Sequence, residues 1–307
     1  MGSVSTRGLA GGRFEGEATT NNRRLPFRLA FQRARYNLYP PGGVYPDPAF
    51  RAYLDRFELR FATLLRHDGG LEFGPEVYVL TSRGLRPEDM DGHSVPLEAF
   101  SRFQAGYSAM AGPRIRYRTT SPIRPMDGVI LDAVLRGGRS GGDAFSTPRN
   151  DWSADLWASW TRPLSGRLRL YTRLWGRLQG EAPPPVRNHL GGGLTVRGQP
   201  LMRDYGRRQV LGRAQVHWTL ARGIRWPGDL ANRLWSALPS WPLDAELVFF
   251  ADAGAAMDPD EPRWRRTRQG YGVSLHIVLP PELVFRLDIA ISPGGPVFFY
   301  TGGGESL

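Results

Sequence analysis

The run GRLRLYTRLWGRLQ, residues 166–179, alternates with a period of two. Arg167, Arg169, Tyr171, Arg173, Trp175 and Arg177 occupy the odd positions. Leu168, Leu170, Leu174 and Leu178 occupy even ones, with Thr172 and Gly176 between them. Successive side chains of a strand point to opposite faces, so this run reads as a strand with one wet face and one apolar face. A helix would smear both sets around its axis.

The same alternation recurs in both directions along the chain. At 53–66, Tyr53, Phe57, Leu59, Phe61 and Leu65 oppose Arg56, Glu58, Arg60 and Arg66. At 102–118, Tyr107, Ala109, Ile115 and Tyr117 oppose Ser108, Arg114, Arg116 and Arg118. Residues 71–79, 129–136, 151–160, 271–279 and 283–291 behave alike. Weaker strands fit 12–20, 25–36, 208–221, 244–253 and 296–302. This makes about 13 strands, most near the roughly 9–11 residues that cross a bilayer at a tilt. Trp152 and Trp160 bracket one apolar face, as aromatic girdles do in membrane barrels. The expected class is all-β: a transmembrane antiparallel β-barrel of about 12–16 strands, with charged faces turned into a wet lumen. The competing architecture is a soluble β-sandwich. Its strands are shorter and rarely carry four arginines on one face.

The 307 residues include 40 basic ones, all arginine, against 29 acidic, a formal charge of +11. Such a balance first suggests nucleic acid. The arginines, however, are spread strand by strand along one face, so no nucleic-acid partner is expected. The chain has no cysteine, which excludes disulfides, thiolate metal sites and a cysteine nucleophile. No apolar run approaches the roughly 18–20 residues of a transmembrane helix.

Loop lengths give an independent check, because bacterial barrels pair short periplasmic turns with long outer loops. The joins at 21–24, 67–70, 163–166 and 280–282 are short. Those near 38–52, 81–99, 139–150, 180–207 and 255–269 are long, and the two kinds alternate. The exception is 223–242, a long segment at a periplasmic position, with Trp226, Trp235 and Trp241. Within it, 229–238 reads either as an amphipathic helix lying at the membrane interface or as an irregular turn.

The longest join, 180–207, contains Leu190-Gly191-Gly192-Gly193-Leu194-Thr195-Val196-Arg197-Gly198. This resembles the sixth-loop signature of the Omp85 superfamily, the barrels of the D15-like surface antigens and outer-membrane assembly factors. Phe250-Ala251-Asp252-Ala253-Gly254 is similar to the superfamily's Phe-x-Asp-x-Gly strand. Residues 270–279 with 284–290, including Arg286 to Ala290, resemble its penultimate hairpin. Residues 115–128, ending in Pro125-Met126-Asp127-Gly128, resemble its Pro-Thr-x-Gly hairpin. Together the matches cover about residues 105–307.

The resemblance implies that the long loop folds inward and that Arg197 meets Asp252. Glycines at 191–193 and 198 would allow sharp turns and close approach to the wall. Asp252 shares a strand face with Glu246 and Phe250, and a guanidinium and a carboxylate can pair bidentately. The expected loop motif is Gly191, Gly192, Gly193, Val196, Arg197 and Gly198, and its wall partner is Phe250, Asp252 and Gly254. The alternative is that Arg197 is one more hydrated lumen arginine. The chain departs from the pattern in three respects: Gln199 stands where an aromatic is usual, the stretch that commonly carries a lumen glutamate offers Gln215 and His217, and the chain ends on Leu307 rather than an aromatic.

The expected organisation is an Omp85-type barrel over 1–307, N-terminally incomplete and without a POTRA domain, with 180–207 as lumen loop and 223–242 as periplasmic interfacial segment. Strands preceding residue 1, a second chain, or a reduced barrel of about 12 strands would each answer the count. The five histidines show no metal-ligand spacing, and no nucleophile, phosphate-loop or dinucleotide motif is present. The chain is therefore read as a non-enzyme without cofactor or metal. Its expected location is the bacterial outer membrane. Its expected partners are outer-membrane lipid and lipopolysaccharide, unfolded outer-membrane or secreted protein clients, and a completing chain or periplasmic partner. Two functions stay open. One is assistance to protein insertion or translocation. The other is a passive pore, a membrane anchor or structural subunit of an envelope complex, or the barrel half of a patatin-like fusion.

Overall fold

The computed structural model describes residues 2–5, 9–19, 23–38, 50–89, 91, 93, 105–120, 127–143, 147–183, 186, 188–193, 195–199, 204–226, 241–257, 267–279 and 283–303. The strands are β1 (Gly2–Ser5), β2 (Leu9–Thr19), β3 (Arg23–Leu38), β4 (Phe50–Ala62), β5 (Leu64–Arg66), β6 (Leu71–Asp89), β7 (Gly106–Arg118), β8 (Gly128–Gly142) and β9 (Arg149–Pro163). There follow β10 (Leu168–Gln179), β11 (Asn188–Leu190), β12 (Asp204–Gly206), β13 (Arg208–Trp226), β14 (Trp241–Met257), β15 (Arg268–Leu279), β16 (Leu283–Ile291) and β17 (Val297–Gly303).

All but β11 and β12 belong to one antiparallel sheet, in which each strand pairs with its sequence neighbour. The small β5 only continues β4 past Thr63, whose N–H donates to Pro75 O at 3.1 Å. The sheet's fifteen strands therefore fill fourteen successive positions from β1 to β17. The one of these positions not read from the sequence is β1, a four-residue stretch, Gly-Ser-Val-Ser, with no apolar alternation to betray it. An even number sets the first and last strands antiparallel, and β1 and β17 approach within 8 Å between Cα atoms.

The burial pattern is that of a membrane barrel turned inside out relative to a soluble core. Leu135, Leu156, Leu174 and Leu287 are exposed, whereas Glu76, Arg136, Asp132 and Asp288 are buried. Trp152 and Trp160 are exposed at the two ends of the β9 apolar face. Among the described residues no helix is long and apolar enough to cross a membrane; the strands make the crossing.

The polar faces converge on a common interior. Arg60 of β4 lies 3.9 Å from Asp155 of β9, although β6, β7 and β8 separate those strands in the sheet. Arg136 bridges Glu76 and Asp155, the latter at 2.8 Å. Arg114 bridges Glu76 at 2.7 Å and Asp132 at 2.6 Å. Buried charges persist where partners satisfy them, and here each carboxylate serves two or more guanidiniums. Short joins at 67–70 and 164–167 lie at one end, and the loop from β10 to β13 lies at the other, in the alternation expected from the sequence. The 229–238 segment falls outside the described residues, as does Leu307.

Candidate functional site

After β10 the chain turns into the barrel. Ala182 and Val186 are fully buried against Tyr78 and Leu80 of β6 and Met110 of β7, all on the interior face. The loop then forms the β11–β12 hairpin, Asn188↔Gly206 to Leu190↔Asp204. Between these two strands lies the glycine-rich motif. Gly191 and Gly192 have positive φ, 112° and 90°. Gly191 N–H donates to Thr195 Oγ1 at 2.7 Å and Gly192 N–H to Gln199 O at 3.0 Å. The carbonyl of Gly193 accepts from Arg286 Nη2 at 3.0 Å. Val196 packs with Leu190, Leu211 and Ala256, with Trp175 beside them.

Arg197 is fully buried at the tip. Its Nε donates to Asp252 Oδ2 at 2.8 Å, its Nη2 to Oδ1 at 3.0 Å, and its backbone N–H to Oδ2 at 3.1 Å. The guanidinium lies over the Phe250 ring, 3.4 Å from the centroid. A fork-to-fork pair with a third bond from the main chain fixes both the side chain and the loop backbone. Gly198 has φ 80°, and a Cβ there would lie 2.5 Å from Ile291 O. Its N–H donates to the Tyr300 hydroxyl at 3.2 Å. The space a Cβ would need on Gly254 is taken by Leu190 and Val196. The structure thus gathers all nine motif residues at one place.

Several contributors were not read from the sequence. Arg213 of β13 stands opposite Asp252 in register and donates to its Oδ1 at 2.9 Å and to Thr195 O at 2.8 Å. Gly270 of β15 stands opposite Asp252 on the other side. A Cβ there would lie 1.6 Å from Arg197 O, so only glycine leaves room for the loop. Tyr300 donates to Gln199 O at 3.2 Å, which joins the loop to the last strand. Gln199, in the position where an aromatic was expected, uses its amide to donate to Gln269 O at 2.8 Å. Strand parity places Arg213 on the lumen face, but only the pairing register brings it to Asp252. The arrangement is an electrostatic latch holding a loop against the wall.

No family model matches the sequence, and no curated protein matches it. Solved structures do. CdiB from Escherichia coli superposes with a TM-score of 0.58 at 14% identity, over 98% of this chain and 54% of that one. BamA from Haemophilus ducreyi lacking POTRA domains 1–3 gives 0.54 at 10% identity, over 96% and 62%. CdiB from Acinetobacter baumannii gives 0.53 at 14% identity, over 97% and 50%. The fold is that of the Omp85 barrels. The present chain spans about half to three-fifths of the length of these Omp85 structures.

Proposed function

We propose that this chain is an outer-membrane β-barrel of the Omp85 type that assists the insertion or translocation of proteins. The observation that carries the reading is the inward loop: it leaves β10, crosses the interior to β6 and β7, and is latched by Arg197 to Asp252 and by Gly198 to Tyr300. A passive pore gains nothing from a loop that occupies its interior and is tied to its last strand. In this reading the seam between β1 and β17 is where the wall opens, and an incoming strand adds to the freed edge. The lumen arginines hold loop and wall together, and the protein performs no chemistry. Its surroundings are outer-membrane lipid and lipopolysaccharide, its clients are unfolded outer-membrane or secreted proteins, and its partner is a chain that completes the barrel or a periplasmic protein.

Depletion in the native cell tests the reading. Levels of folded outer-membrane proteins, or secretion of one dedicated client, should fall before growth does. If both stay normal while the barrel is gone, the passive reading takes over: pore, anchor or structural subunit of an envelope complex.

A further inference from the structure

Below the latch, the same three strands carry a second polar cluster that the latch does not use. His217 lies four residues from Arg213 along β13, about 13 Å further down the strand. Glu246 of β14 and His276 of β15 are paired in register. All three are almost fully buried on the interior face, and one potential ligand atom from each lies within 4.8 Å of the others.

His276 is not used as a satisfied core histidine would be. Both ring nitrogens of His276 lack a hydrogen-bond partner among the described residues, although the residue is only 2% exposed. Arg286, its neighbour in register on β16, is turned away toward Gly193 O at 3.0 Å and Asp288 at 3.5 Å. A buried imidazole left without partners is unfavourable, so a fold that keeps one calls for an occupant. On the other side, His217 Nε2 lies 3.1 Å from Gln215 Oε1. When Nε2–H donates there, the Nδ1 lone pair is left facing Glu246 Oε2 at 3.1 Å. Arg169 Nη2 sits between these two acceptors, 3.1 Å from Nδ1 and 2.8 Å from Oε2. Two acceptor atoms aimed at one cation, with a carbonyl oxygen fixing the tautomer behind, is how a protein prepares a histidine for a metal.

We propose that His217, Glu246 and His276 bind one divalent transition-metal ion of the zinc class in the barrel wall. Two imidazoles and one carboxylate, with a fourth position for water, suit such an ion. Ligand atoms around a tetrahedral zinc are about 3.4 Å apart, so the three groups close by little more than 1 Å to bind it. The ion takes the place of the Arg169 guanidinium and is matched by the nitrogen atoms of His276. It ties β13, β14 and β15 together beneath the loop, whatever the barrel transports.

The test uses the full chain without a histidine tag, folded in detergent, with Co2+ alone as probe. One equivalent should give the visible absorption of a four-coordinate nitrogen–oxygen site, and Zn2+ should abolish it. His276→Ala and His276→Gln should lose the absorption while migrating as folded barrels. Arg169→Met keeps all three ligands and should bind at least about tenfold more tightly, because the competing cation is gone. In the unmodified protein, Zn2+ should raise the melting temperature and a chelator should reverse the rise, a readout that needs no variant. A folded wild type without the Co2+ spectrum overturns the proposal, as does a folded His276 variant that keeps it.

Discussion

Asp252 carries the largest local stake, because two buried guanidiniums, Arg197 and Arg213, share its carboxylate. Removing it strands both charges, a change worth about 3–5 kcal/mol in buried pairs. Asp252→Ala should therefore free the loop. The measurement is trypsin cleavage within 180–207 of the folded barrel: resistant in the wild type, cut in the variant. Equal resistance would mean that Tyr300 and the Val196 cluster hold the loop without the latch. Arg197→Lys should behave like a partial loss, since an ammonium cannot engage both carboxylate oxygens in the fork. At this scale the sequence was legible in part. The pairing of Arg197 with Asp252 was expected from the resemblance and from strand parity. Arg213, Gly270 and the cluster of His217, Glu246 and His276 were not seen. Each depends on which residue faces which across strands, and register is set by the whole sheet rather than by local spacing.

Along a single strand, orientation is the testable property. On β9, Leu156 is exposed at mid-strand, whereas Trp160 is exposed near an end. An arginine on the lipid face costs about 2–4 kcal/mol at the bilayer midplane and about 0–1 near the interface. Leu156→Arg should thus destabilise the barrel strongly and Trp160→Arg little, read by urea unfolding in lipid vesicles. Equal costs would contradict the assigned depth or the assigned face. The elements were legible because period-two alternation is local and lipid rewards it. Where lipid does not reach, the signal fades. β6 runs to Asp89 through Thr-Ser-Arg-Gly-Leu-Arg-Pro-Glu-Asp, well past the 71–79 alternation. β8 continues to Gly142 through Gly-Gly-Arg-Ser-Gly-Gly. No apolar alternation marks these extensions, which strand pairing continues. The β11–β12 hairpin is three residues a side and is supported by the wall it touches.

For the whole molecule, the charge excess and the inward loop make one joint prediction. The interior between the strands holds Ala182, Val186, Val196 and Arg197 of the loop and is bridged by pairs such as Arg60 with Asp155. In a planar bilayer the intact protein should therefore conduct poorly. Replacing 182–204 by a short Gly-Ser linker removes the obstruction and leaves the wall strands untouched, so conductance should rise several-fold. The opened pore should also prefer anions. The chain has 40 arginines against 29 acidic residues, and strand parity puts many of them on the lumen face. A ring of guanidiniums attracts anions and repels cations, as pores lined by arginine do. Deleting the loop also removes Arg197 and leaves Asp252 to Arg213 alone, which shifts the balance slightly toward cations. Anion preference should survive that loss because the network around Glu76, Asp132 and Asp155 stays rich in arginine. An unchanged conductance in a folded loop variant would show that the wall itself closes the pore. Cation preference would show that the lumen arginines are neutralised by their neighbours, which would leave the net charge of the chain to its loops.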